Sequence, residues 1–354
     1  MVLLDQGEDF CIGTIISIKG SSPRHVGTKF IVKRDGTTLG TIGGGLFEAQ
    51  VTNIALDALK TRATVVADFE FSGQDSSAEN MLCGGSVKVL IEYHKSEDSG
   101  KRLIYEDLLR LDAARGLGYL FTSLPARNSS MSEISSECML IDDAGNITGC
   151  LTGHSQALAK INSPKFSEQG QLIILDDSQR QVFVERFIPH GRVYVFGAGH
   201  VGISVAHLAS YVGLKVTLVD DRAEFANFSN APDADEIVVV KDFENSMSEL
   251  NVGNDSYIVI VTRGHSHDKS VLGQALKTPA NYIGMIGSKR KIKIIFDALL
   301  MEGFTESELK SVHSPIGLPI GGETPEEIAL SIVAEIIQFR KKYVGNAKTS
   351  TCMS

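Results

Sequence analysis

One stretch limits what this chain can fold into more than any other: Arg192 to Arg222, RVYVFGAGHVGISVAHLASYVGLKVTLVDDR. It reads as strand, glycine turn, helix, strand. Val193 and Val195 open a short β-rich run, and Gly197, Gly199 and Gly202 follow as G-x-G-x-x-G. Val201, Val205, Leu208 and Val212 recur at helical spacing before a second β-rich run, Lys215 to Val219, which meets Asp220. Gly197 permits the tight turn, Gly199 lets a pyrophosphate approach bare backbone, and Gly202 lets the helix pack closely on the strand. The helix N-terminus, beside His200, offers free N–H groups to phosphate. Asp220 is placed to accept from a ribose 2′-hydroxyl, with Asp221 and Arg222 next to it. Asp220 favours NAD, and Arg222 keeps NADP open.

The alternation continues downstream. Glu236 to Val240 and Ser256 to Thr262 are near-continuous apolar runs, as expected for parallel strands covered on both faces. The second enters RGHSHD, Arg263 to Asp268, and Tyr282 to Ile286 enters GSKRK, Gly287 to Lys291. Loops leaving strand C-terminal ends line the ligand crevice of a doubly wound sheet. GAGH, DDR, RGHSHD and GSKRK are therefore expected to converge. His265, His267 and Asp268 read as acid–base groups or metal ligands, or else Asp268 caps a helix starting at Lys269. Gly287, Ser288 and Arg290 read as phosphate contacts or as a helix start. Thr324, Pro325 and Glu327 form a capping box ahead of the stripe Ile328, Ile332 and Ile336.

Upstream the pattern is more varied. Cys11 to Ile18 and Phe30 to Lys33 are strands, separated by GSSPRHVGTKF with Ser22, Arg24 and Lys29. After the hairpin signal RDGT comes Gly43, Gly44 and Gly45, running into an amphipathic helix, LFEAQVTNIALDALKT, that carries Glu48. This is a second glycine-rich anion site, or a turn needing positive φ. Cys83, with Gly84 and Gly85, precedes a strand from Val87 to Tyr93. A free cysteine is commonly a small buried hydrophobe, and reactivity needs a lowered pKa. Residues 101–187 read as a small α/β scaffold without a chemical constellation of its own, and Ile188 to Gly191 as the linker to the Rossmann unit.

Composition excludes several classes. The 354 residues carry a net charge of −9, which argues against nucleic acid. No apolar run approaches the roughly 18 residues of a membrane span, and the acidic first ten residues do not resemble a signal peptide. Five scattered cysteines without C-x-x-C give no zinc or disulfide framework and suit a reducing, cytoplasmic setting.

Taken together, GSSPRHVGTKF, RDGTTLGTIGGGLFEAQV, CGG, VFGAGHVG, VDDR, RGHSHD, YIGMIGSKRK and SPIGLPIGGETPEEIALSIVAEI resemble the xanthine dehydrogenase accessory proteins, the XdhC/CoxI family. The resemblance runs from about residue 12 to 341. It implies an N-terminal mixed α/β accessory domain (1–187), a C-terminal Rossmann-like doubly wound parallel sheet (190–345) and a flexible tail (346–354). It also implies a chaperone that binds molybdenum cofactor (molybdopterin), protects it during sulfuration by a cysteine desulfurase, and helps insert it into an apo-molybdenum hydroxylase. A homodimer is expected. On this reading Cys83 ligates molybdenum or carries sulfur, and Ser22, Arg24, Gly43–Gly45, Glu48, Gly84 and Gly85 join the crevice residues in holding cofactor. Three departures stand out: Leu46–Phe47 where many relatives carry a cysteine, Asn80 where they often have glycine, and Arg263 where they often show histidine. The alternative is an NAD(P)-dependent oxidoreductase acting on a small substrate, with His265 or His200 as its acid–base residue.

Overall fold

The computed structural model describes the chain apart from residues 21, 23, 72–84, 126–135, 162–169, 176–179, 189–190 and 347–354, with backbone only for 341–346. Two compact units divide it, Met1–Pro189 and His190–Ser354.

The first unit contains α1 (Val2–Asp5), β1 (Phe10–Gly20), β2 (Lys29–Lys33), β3 (Thr38–Gly40), α2 (Gly45–Thr61), β4 (Val65–Phe71) and β5 (Gly85–His94). These are followed by α3 (Ser99–Ala114), β6 (Gly118–Ser123), β7 (Cys138–Asp142), β8 (Ile147–Gly149), α4 (His154–Ile161), β9 (Gln171–Leu175) and β10 (Arg180–Phe187). They form two antiparallel sheets ordered β3-β2-β1-β5-β4 and β8-β7-β6-β10-β9. Strand β4 had no counterpart in the sequence reading. Each sheet presents one apolar face to the helix that follows its third strand. Phe47, Val51, Ala55 and Leu59 of α2 pack on Cys11, Ile15, Val89 and Ile91, and Ala157 of α4 packs near Phe121, Met139 and Val182. Each such fully buried aliphatic or aromatic side chain contributes roughly 1.5–3 kcal/mol.

The two sheets repeat one module. Both run third, second, first, fifth, fourth, and both place a helix after the third strand. Positive-φ glycines punctuate both at the same intervals: Gly36, Gly40 and Gly44 in the first, Gly145, Gly149 and Gly153 in the second.

Between β5, α3 and β7 lies a buried polar knot, which corrects the expectation of a chemically bare scaffold. The Ser136 hydroxyl donates to Glu92 Oε1 (2.7 Å) and accepts from Lys101 Nζ (3.1 Å). Lys101 Nζ lies 3.5 Å from the same Glu92 oxygen. Burial opposes the Glu92 charge, but Lys101, His94 and Ser136 hold its carboxyl below the ordinary value. Burial pushes the Cys138 thiol up to about 12, so this cysteine is an inert neutral group. His94 stacks on Phe10 and meets the Tyr105 hydroxyl through Nδ1, and burial pushes its imidazole down to about 3.

The second unit is a parallel sheet. Its elements are β11 (Arg192–Phe196), α5 (His200–Tyr211), β12 (Lys215–Asp220), β13 (Glu236–Val239), β14 (Ser256–Ile260) and α6 (His265–Ala275). After them come β15 (Tyr282–Met285), α7 (Lys289–Met301), α8 (Glu306–Lys310) and α9 (Pro325–Asn346). Strand order is β13-β12-β11-β14-β15, with every pairing parallel. Alternate residues of β11 enter opposite cores. Val193 and Val195 join the core that α5 and α9 cover, while Tyr194 and Phe196 join the one that α6 and α7 cover. This is the doubly wound arrangement that continuous apolar strands require. The expected capping box holds: Glu327 N donates to Thr324 Oγ1, and Thr324 N to Glu327 Oε2.

Candidate functional site

Because β11, β12, β14 and β15 are parallel, the loops after them leave the sheet at one edge. GAGH, DDR, RGHSHD and GSKRK lie there, and their side chains bind the loops to one another.

The three motif glycines meet different surroundings. Gly197 has φ 114° and its added Cβ would lie 2.5 Å from the Val261 carbonyl oxygen. A Cβ on Gly202 would come within 1.7 Å of the Gly197 oxygen. On Gly199 it would meet nothing within 4 Å. Gly199 is also the N-cap of α5 and supplies no side-chain cap. The first N–H groups of a helix have no intrahelical partner, so this turn leaves donors facing an open space.

Asp220 does not present its carboxylate to that space. Its side chain is 2% exposed, and both oxygens are engaged. Oδ2 accepts from Ala198 N (2.7 Å) and Arg222 Nη2 (3.1 Å), and Oδ1 from Arg222 N (3.0 Å) and Nε (2.9 Å). Burial works against the charge, yet the Arg222 side chain and the Ala198 amide hold the carboxyl below its ordinary value. The role expected from sequence, accepting from ribose, needs a free oxygen that this arrangement does not supply. Asp221 is engaged as well: Arg263 grips it at 2.9 and 2.7 Å. The Arg222 guanidinium carbon lies over the Phe225 ring, 4.0 Å from its centroid. Sequence reasoning did not pair Arg263 with Asp221, because the two come from different loops, and it did not place Phe225 against Arg222.

Helix α6 begins at His265, with Gly264 as N-cap, so Asp268 lies in its first turn and is not the cap of a helix starting at Lys269. Asp268 is fully buried, accepts from Thr262 Oγ1 (2.6 Å) and pairs with Lys291. It ties α6 to α7 and has no access to solvent for acid–base exchange. His265 is exposed, and the His267 ring packs 5.2 Å from that of Phe243. Among the described residues no group of three or more His, Cys, Asp or Glu could hold a metal ion. Ser288 caps α7, accepting from Lys291 N (3.3 Å), and Gly287 leaves room for the Lys291 side chain. His200, Lys289 and Arg290 are exposed at this edge.

The other expected contacts belong to the first unit. The Glu48 carboxylate accepts from Thr41 Oγ1 (2.6 Å), Ile42 N (3.0 Å) and Gly44 N (3.1 Å), so it organises the glycine corner from inside. Gly43, Gly44 and Gly45 all have positive φ, as the turn reading required. The second module makes the same corner with Thr152, Gly153 and His154, and with Ala157 in place of Glu48. Gly43 and Gly45 take positive φ where the second module has Thr152 and His154, which do not, and added Cβ atoms on Gly44 and Gly45 would meet nothing within 4 Å. Arg24 is exposed, its amide 3.5 Å from Ser22 Oγ. Gly85 opens β5 opposite Gly20 and Phe71. Cys83 and Gly84 lie outside the described residues.

Comparison with known proteins gives a consistent set of likenesses. The model of the XdhC and CoxI family matches residues 3–70, and that of the XdhC Rossmann domain matches residues 193–336. A probable xanthine dehydrogenase subunit from Bacillus subtilis is 27% identical over 345 residues, 96% of either chain. The molybdenum cofactor insertion chaperone PaoD of Escherichia coli is 20% identical over 339 residues, 95% of this chain and 85% of that protein. A solved structure described as a xanthine dehydrogenase from Bacillus halodurans superposes with a TM-score of 0.77 at 25% identity, covering 96% of this chain and 95% of the other. No helix among the described residues is long and apolar enough to cross a membrane.

Proposed function

Since this chain belongs to the XdhC and CoxI family, we propose that it is an accessory protein in the maturation of a molybdenum hydroxylase, holding molybdenum cofactor for sulfuration and insertion. The observation that carries the reading is the open space at Gly199, at the uncapped N-terminus of α5. Molybdopterin ends in a phosphate, or in a pyrophosphate in its dinucleotide forms, and that group fits a glycine turn whose amides face outward. Gly199 and the first amides of α5 hold the phosphate. Asp220 keeps the turn in shape through Ala198, and Arg222, Arg263 and Arg290 add positive charge along the rim. When bound, the cofactor supplies the molybdenum centre of the hydroxylase; the chain's own residues grip and orient it.

Handover to an apo-hydroxylase and sulfuration by a cysteine desulfurase complete the proposal. A thiolate at Cys83 serves as the soft ligand for molybdenum. Support comes from the family, and from the insertion chaperone among the relatives.

The test is the cofactor content of the purified chain, read from the fluorescent oxidation product of molybdopterin. The proposal expects bound molybdopterin, lost on Gly199→Val while the circular dichroism spectrum is kept. Protein that neither carries molybdopterin nor takes it up when supplied would overturn it.

A further inference from the structure

The acid at the end of the second strand of a Rossmann unit ordinarily reads a free ribose 2′-hydroxyl. Here that position turns inward. Asp220 accepts four hydrogen bonds, three of them from Arg222 and one from the Ala198 amide inside the glycine turn. The next acid, Asp221, is closed off by the bidentate grip of Arg263. Of these four side chains, the two arginines are the ones that face outward. Arg263 is 43% exposed and Arg222 25% exposed, while Asp220 and Asp221 are 2% and 14% exposed.

Arg222 is fixed in place. Asp220 holds Nε and Nη2, Phe225 covers the guanidinium at 4.0 Å, and Nη1 makes no hydrogen bond among the described residues. A planar guanidinium fixed by a carboxylate and a ring loses little further freedom on binding, and its remaining donors suit a phosphate oxygen. A neutral hydroxyl would find the oxygens of Asp220 and Asp221 already engaged by Arg222 and Arg263.

We propose that Asp220 is a positioning residue, and that Arg222 and Arg263 make this crevice prefer a nucleotide carrying a 2′-phosphate over its 2′-hydroxyl counterpart. The preference concerns the ribose corner only and goes beyond the accessory role. It is measured without molybdenum cofactor or hydroxylase, so the two can fail separately.

The matched probes are NADP⁺ and NAD⁺, which differ only in the 2′-phosphate, titrated calorimetrically into the full chain at low salt. The expected result is that NADP⁺ binds about tenfold or more tightly than NAD⁺, the difference a charge-assisted contact makes. Arg263→Ala and Arg222→Ala should bring the two ligands to within about threefold of each other. Asp220→Asn should weaken both ligands, through the turn that Ala198 belongs to, and NADP⁺ more than NAD⁺, through the loss of the carboxylate that fixes Arg222; at constant stoichiometry, mere unfolding of a fraction of the sample would not reproduce this. NAD⁺ binding as tightly as NADP⁺, a selective loss of NAD⁺ in Asp220→Asn, or no binding of either at millimolar concentration would each overturn the proposal. The wild-type ratio decides the question even if a variant fails to fold.

Discussion

A Cβ on Gly202 would sit 1.7 Å from the Gly197 carbonyl, whereas one on Gly199 would touch nothing within 4 Å. Gly202→Ala should therefore destabilise the second unit by about 3 kcal/mol or more, since the obstructing group is the Gly197 backbone, held by the motif turn, and not a side chain that can swing away. Gly199→Ala should change stability by no more than about 1 kcal/mol, the cost of a poorer N-cap, while weakening phosphate binding. Chemical denaturation paired with a ligand titration separates the two; equal stability losses would show that the turn is purely structural. These roles were legible in the spacing of three glycines. The engagement of Asp220 was not, because an arginine two residues after an acid looks the same in sequence whether it reaches for a ligand or folds back.

The buried knot at β5, α3 and β7 sets the acid limb of the first unit. His94 is 2% exposed, and burial lowers its pKa from 6.5 to about 3. A depressed histidine pKa means the unfolded chain binds the proton more readily. Stability is thus full above pH 6.5 and falls as pH drops from 6.5 toward 3. His94→Phe keeps the stack on Phe10 and should flatten that fall, measured as urea midpoints between pH 4 and 7. A parallel decline in both proteins would assign the acid limb to the carboxylates alone. Glu92, Lys101 and Ser136 come from separate elements, and each reads as an ordinary surface residue until the chain is folded. Strand β4 was missed for a related reason: VVADFEF is only half-buried and carries acids on its exposed positions. Glycine placement was the better guide, since Gly43 to Gly45 marked the corner where α2 begins.

At the scale of the whole chain, the parallel sheet was readable because strands buried on both faces become unbroken apolar runs, and such runs followed by glycine loops fix the edge at which those loops meet. The repeated module was hidden. Its two copies share strand order and the interval between left-handed glycines, but GGGLFE in one corresponds to TGHSQA in the other, and only the backbone keeps the likeness. The first copy alone has the extra glycines and Glu48, whose carboxylate holds that corner together. The central claim, that the chain delivers molybdenum cofactor, is tested most directly by reconstituting an apo-hydroxylase with cofactor and cysteine desulfurase, with and without this protein. The account predicts that hydroxylase activity rises with the wild-type chain and not with folded Gly199→Val. Activation that is the same without the chain, or the same with both proteins, would contradict it.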